Sequence, residues 1–214
     1  MKLLSINVGG PREVASNGKI VRTSIFKDPV SGPVRVSKLN LAGDEQSDLT
    51  VHGGVDMAVY VYPSEHYPYW RKQLPEVEFP WGAFGENLTT EGLSEKEVKI
   101  GDRLGIGSVK FVVTQPRLPC YKLGIRFGSP DMVKRFHQSG RPGFYLAVLQ
   151  EGEISAGDTI DWLPEEQPSV SVADIVRLFT TKNPEPELLR QASELSVLPD
   201  MWREHFHDRL EESG

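Results

Sequence analysis

Cysteine is almost absent from this chain: Cys120 is the only one in 214 residues. That excludes an internal disulfide framework and fits a reducing compartment. It also excludes an iron–sulfur cluster held by this chain alone, because such clusters take about four cysteine ligands. No run of ~18 apolar residues occurs, so no membrane span is expected. The apolar stretch at residues 2–8 is too short for a secretory leader and runs straight into Gly9-Gly10-Pro11, so a cytoplasmic protein is expected. No glycine fingerprint for a dinucleotide or flavin is present, and no basic stripe marks a nucleic-acid surface. Internal repeats and low-complexity segments are lacking as well. What remains is the composition of an ordinary globular protein, 38% hydrophobic and 25% charged, long enough for one large domain with an appendage.

Charge divides the chain. Residues 1–163 carry 19 basic and 19 acidic side chains, whereas residues 164–214 carry 5 and 11, so the whole net charge of −6 sits in the last quarter. The first part is rich in short alternating segments separated by glycine and proline. Strands are expected near 2–8, 19–27, 34–36, 57–62, 98–100, 103–106, 109–114, 144–150 and 159–162. Many short strands with inserted helices indicate a barrel or sandwich. The proline-rich acidic segment 164–168 reads as a linker, and beyond it the apolar period becomes 3.6. A capping-box pattern at Ser171 and Asp174 opens the first of three short amphipathic helices; Asn183-Pro184 and Pro199-Asp200 open the others. The expected organisation is a β domain over 1–163 and a three-helix module over 169–214. Such helices bury too little alone, so they pack against the β domain or against another subunit, a homodimer being one such arrangement.

The most informative stretch is residues 109–127, VKFVVTQPRLPCYKLGIRF. Its alternation runs over 109–114, and from Gln115 onward Pro116 and Pro119 impose a stiff extended loop by fixing φ and removing two backbone donors. Cys120 stands at the end of that loop, between Arg117 and Lys122 and ahead of a short helix. Nearby cations favour the thiolate, the nucleophilic and metal-binding form. Two other loops hold polar groups that no fold rule demands. In His52-Gly53-Gly54-Val55-Asp56 the glycines let backbone N–H groups approach a ligand, though the Gly-Gly pair alone is better explained by a tight turn before a strand. In Gly85-Glu86-Asn87 the amide of Asn87 offers hydrogen bonds to a ring edge or to its own turn. A Cys–His hydrolase would take Cys120 as nucleophile, His52 as base and Asp56 as orienter. A zinc site lacks ligand spacing. A molybdenum held by one protein thiolate needs a single cysteine, because a pterin dithiolene supplies its other sulfur ligands.

The segments GDEQSDLTVHGGVDMAVYVYPSEHYPYW (43–70), GAFGENLTTEGL (82–93), IGDRLGIG (100–107), QPRLPCYKL (115–123) and GRPGFYLAVLQEGEISAGD (140–158) resemble the MOSC domain, within it the YiiM group. The tail resembles the three-helix module that accompanies this group. The resemblance implies a mostly β, barrel-like domain that binds the molybdenum cofactor, Mo-molybdopterin. On the family's pattern Cys120 is the molybdenum ligand. His52, Gly53, Gly54 and Asp56, together with Gly85, Glu86 and Asn87, surround the cofactor. Arg117 and Lys122 stabilise its negative charge and His52 donates protons. Members of the wider family are carriers of cofactor sulfur or reductases of N-hydroxylated compounds, and the YiiM group resembles the reductase branch. The implied partners are a small N-hydroxylated substrate and a separate electron-donor reductase, with no nucleic acid and no membrane. Two positions depart from the pattern. Gly9-Gly10 stand where many relatives carry a lysine, so Arg22 or Lys27 would serve the cofactor phosphate, and Met57 replaces the usual lysine or arginine after Asp56.

Overall fold

A computed structural model describes residues 1–16, 18–47, 53–164 and 170–212. His52, most of the expected linker, residues 165–168, and residue 169 at the start of the expected module lie outside the described residues. Among those described, the chain runs through β1 (Lys2–Val8), β2 (Arg12–Ser16), β3 (Lys19–Thr23), β4 (Asp28–Val30) and β5 (Val34–Val36). A 3-10 turn at Val55–Met57 leads into β6 (Val59–Pro63), and a second at Ser64–His66 into α1 (Tyr67–Gln73). There follow β7 (Leu88–Glu91), β8 (Arg103–Ile106), β9 (Val109–Pro116), α2 (Tyr121–Arg126), α3 (Asp131–Ser139), β10 (Phe144–Gln150), β11 (Gly152–Ile154) and β12 (Ile160–Leu163). The chain closes with α4 (Val172–Thr180), α5 (Pro186–Glu194) and α6 (Asp200–Glu211). No helix among the described residues is long and apolar enough to cross a membrane.

Eight strands form one sheet in the order β12-β8-β9-β10-β6-β7-β1-β4. The single parallel pair is β6 with β7; the other neighbours are antiparallel. The fold is therefore mostly β, as expected, but the ladder does not close into a barrel. At the start of β1, Leu3 donates to the Asp158 carbonyl (3.0 Å), and Lys2 bridges Thr159. Gly157 and Asp158 form the turn that precedes β12, and residues 157–160 pair antiparallel with residues 1–3 for only that short stretch, Gly157 donating to the Leu3 carbonyl (2.7 Å) and Ile160 to that of Met1 (3.1 Å). The rest of the β1 edge is taken by β4, whose Pro29 is tolerable because β4 is an edge strand.

Side-chain alternation sorts the interior into two cores. Along β6, Val59 and Val61 join the main aliphatic core with Leu3, Phe111, Phe144 and Leu146, while Tyr60 and Tyr62 point to the other face. That face is covered by Trp70 of α1, Phe84, and Phe136 of α3, forming an aromatic cluster. Trp70 donates its indole N–H to the Tyr62 hydroxyl (2.7 Å), satisfying a buried donor. Tyr67 and Trp70 of α1 are both buried.

The predicted strand at 98–100 is not one. Its backbone pairs instead with the approach to α4: Val172 donates to the Val98 carbonyl (2.9 Å) and Ile100 to that of Val170 (3.0 Å). The helical module is thereby stitched to the sheet. Ser171 accepts from the Asp174 N–H (3.0 Å) while Asp174 accepts from that of Ser171 (3.2 Å), the capping box expected here. Leu178, Leu189, Trp202 and Phe206 extend the main core without a break.

Gly143, just before β10, adopts φ +65°, and a Cβ there would lie 2.3 Å from the Val61 carbonyl oxygen. Backbone cannot yield as a flexible side chain would. Gly143→Ala is expected to destabilise the protein by about 2–4 kcal/mol, read as a lower urea midpoint at unchanged slope.

Candidate functional site

β9 delivers the cysteine loop. Its inward residues Val109, Phe111 and Val113 anchor it in the core, and its last turns of chain are tied from several sides. The Thr114 hydroxyl donates to the carbonyls of Asp56 (2.6 Å) and Tyr145 (3.1 Å), and the Arg117 N–H to that of Gly143 (3.4 Å). Pro116 and Pro119 then carry the chain to Cys120, the residue immediately before α2. Here the loop forms one wall of a cleft. Opposite lie Thr23, Ser24 and Ile25 from the end of β3, Asp44 to Ser47, Gly53 and Gly85.

Arg117 is the dominant charge of the cleft. It is 6% exposed, with its guanidinium 4.8 Å from the centre of the Tyr60 ring and 5.3 Å from that of Phe136. Burial penalises its charge, but Tyr60, Tyr145 and Cys120 attract it more strongly, holding its pKa above the ordinary arginine value. Its Nη1 is buried and meets no hydrogen-bond partner among the described residues. The Ser24 hydroxyl, on the facing segment, is in the same condition. Buried polar groups rarely go unpaired unless a ligand or water completes them. The Tyr60 and Tyr145 rings lie 5.3 Å apart, tilted, along the floor; burial pushes both phenols up, so both are neutral at neutral pH, and the Tyr60 hydroxyl donates to the Pro142 carbonyl (2.7 Å).

The second cation is Lys27, which forms an ion pair with Asp44 inside the cleft wall. Burial lowers the Lys27 pKa, and the carboxylate draws it back part-way. Asp44 is itself held by the Gly9 N–H (3.0 Å) and the Asn87 side-chain amide (2.9 Å). Lys122, 7% exposed, supplies a third cation, its ammonium 3.4 Å from the Ser47 hydroxyl.

The predicted site residues therefore separate into two groups. Cys120, Arg117, Lys122, Lys27, Asn87 and Gly53 line the cleft. Asn87 does so with its amide already engaged: its oxygen accepts from the Tyr60 N–H (3.0 Å) while its nitrogen serves Asp44. Gly54, Asp56, Glu86 and Arg22 do not line it. Asp56 sits on the 3-10 turn before β6, where its backbone carbonyl ties down Thr114. Glu86 is fully buried under the loop, accepting from the N–H groups of Gly82 (2.9 Å) and Phe84 (3.0 Å) and from the hydroxyls of Tyr67 and Thr89. Burial pushes its carboxyl up, and these donors pull it back. Arg22 is exposed on the separate β2–β3 hairpin. Sequence reasoning missed Asp44, Ser24, Tyr60 and Tyr145. The two tyrosines carried a signal, since each occupies an alternate position of an expected strand; Tyr145 pairs with Gln115 just ahead of the cysteine loop, and Tyr60 with Tyr145. Ser24 carried none.

Among the described residues no three His, Cys, Asp or Glu side chains gather to hold a metal ion. The MOSC domain family matches residues 48–161, and the YiiM-like, 3-alpha helix domain matches residues 170–212.

The chain is a MOSC-domain protein of the YiiM group.

MOSC domains are associated with binding of the molybdenum cofactor, which ties the function of this one to that cofactor. The MOSC protein is 40% identical to YflK of Bacillus subtilis over 213 residues, covering 97% of this chain and 95% of that protein. It is 36% identical to a protein of Gibberella moniliformis named Reductase, covering 97% of this chain but only 37% of the longer relative. The crystal structure of YiiM from Geobacillus stearothermophilus superposes with a TM-score of 0.80 at 35% identity, covering 98% of each chain.

Proposed function

We propose that this MOSC protein is a molybdenum-cofactor-dependent reductase of N-hydroxylated substrates, of the hydroxylaminopurine or amidoxime type, with the metal held by Cys120. The observation that carries the reading is the donor set of the cleft. One thiol stands beside a buried arginine with an unpartnered N–H, two buried lysines and an unpartnered serine hydroxyl. That set suits an anionic group bound through a single sulfur, and it fits the cofactor. Cys120 would anchor the metal, while Arg117 and Lys122 would neutralise the cofactor's charge. Lys27 would serve the phosphate in place of the missing lysine at Gly9-Gly10, a role for which Arg22 is badly placed.

When bound, the cofactor supplies a metal centre that exchanges two electrons and accepts oxygen. The net reaction breaks the N–O bond: an N-hydroxylated compound, two electrons and two protons give the amine or amidine and water. The chain has one cysteine and no second redox group of its own, so a separate reductase must deliver the electrons. The cleft floored by Tyr60 and Tyr145 would orient the substrate and limit water. The name Reductase borne by the Gibberella relative, of which this chain covers 37%, supports a reductase over a carrier.

The test uses protein from cofactor-competent cells, assayed with reduced viologen and a hydroxylaminopurine or an amidoxime. Turnover proportional to bound molybdenum is expected. Molybdenum that loads and releases with no turnover on either substrate class would point instead to a cofactor carrier or sulfur-transfer protein.

A further inference from the structure

The helical module reaches the cleft by a route that its fold does not require. Trp202, on the first turn of α6, is 1% exposed and packs against Phe179 and Phe206. Its indole N–H leaves the module and donates to the Gln115 side-chain oxygen at 2.7 Å. Indole nitrogen is a donor only, so the orientation of the Gln115 amide is fixed by this bond. Gln115 is itself 5% exposed and pairs across the sheet with Tyr145 on the cleft floor. Two residues further on is Arg117, and five residues further on is Cys120. The same module grips the opposite flank. Ala173 donates to the Glu95 carbonyl (2.8 Å), and the Glu95 carboxylate accepts from the Gly143 N–H (2.9 Å) and from His66. Gly143 in turn receives the Arg117 N–H.

We propose that Trp202 is a positioning residue of the cleft, acting through Gln115 to fix the end of β9 from which Arg117 and Cys120 project. The three-helix module is then part of the site's framework. The proposal rests on the reading of the Cys120 cleft as the working site, but its test needs neither cofactor nor turnover. Without the indole N–H, the Gln115 amide loses its one fixed partner from the module, and the segment up to the two prolines gains freedom to swing. Tertiary hydrogen bonds between a scaffold and a site loop act this way because they remove alternative positions rather than touch the ligand.

The readout is the rate of iodoacetamide alkylation at Cys120, the only thiol, in full-length protein purified from cells that cannot make the cofactor. Trp202→Phe keeps a ring in the core and deletes the donor. An alkylation rate about fivefold above wild type is expected, the scale of one lost neutral hydrogen bond, with the far-UV circular dichroism unchanged. Gln115→Met breaks the same bond from the sheet side and should raise the rate equally, so the proposal stays testable if one variant folds poorly. The double variant should react no faster than either single one, because both remove one interaction. Leu189→Ala, which opens a cavity in α5 away from Gln115, should lower stability yet leave the rate at the wild-type value. A wild-type rate in folded Trp202→Phe and Gln115→Met would overturn the proposal. So would an equal acceleration in Leu189→Ala, since general loosening of the module would then suffice. In cofactor-loaded protein the two bond-breaking variants should raise KM more than they lower kcat.

Discussion

Cys120→Ala, produced in cofactor-competent cells, is expected to retain almost no molybdenum and to lose reductase activity by at least about 100-fold. The side chain is a small, partly exposed thiol at the mouth of a cleft, so its removal opens no core cavity and should cost less than about 1 kcal/mol of stability. Metal loss with an unchanged melting curve would separate a ligand from a packing residue. Elemental analysis of molybdenum per chain in wild type and variant decides the matter. Metal retained by the variant would sink the assignment of Cys120. Metal absent from both, with a hydrolytic activity blocked by alkylation, would favour the thiol-enzyme reading.

Asp44→Ala should be the most damaging single change to the cleft wall. Three groups lose their acceptor at once: the Lys27 ammonium, the Gly9 N–H and the Asn87 amide. Breaking a buried ion pair from one side leaves an uncompensated charge, and a loss of about 3–5 kcal/mol is expected by chemical denaturation. The pH dependence carries the signature. Burial already holds the Lys27 pKa below its ordinary value, and Asp44 is the main group raising it. Without that carboxylate the folded-state pKa falls further below the unfolded one. At low pH both states hold the lysine proton and the full penalty applies. Between the two pKa values the unfolded state binds more protons, so stability rises with pH and the deficit narrows towards the alkaline side. A deficit independent of pH would mean that the lysine escapes to solvent and that only the neutral hydrogen bonds were lost. Lys27→Met with Asp44→Leu removes both charges but still orphans Gly9 and Asn87, so it should recover only part of the loss.

The local sequence was sufficient for much of this molecule. The alternation in residues 109–114, the prolines at 116 and 119 and the lone cysteine specified a strand, a stiff loop and a presented thiol before any long-range contact was considered. The capping box at Ser171 and Asp174 likewise marked the start of α4, because both partners lie within one turn of chain. These features depend on neighbours a few residues apart, which is why they are legible. The open ladder, the replacement of a strand at 98–100 by a seam with the helical module, and the division of the GEN segment into a buried Glu86 and a cleft-wall Asn87 are not legible. Each depends on which distant segment occupies a sheet edge or supplies a donor. The same holds for Asp44, placed 43 residues from Asn87, and for Trp202, placed 87 residues from Gln115. Sequence determined which groups are reactive and how stiffly each is held locally. Tertiary structure alone decided which of them share a cleft, because burial and hydrogen-bond pairing are settled between segments that only folding brings together.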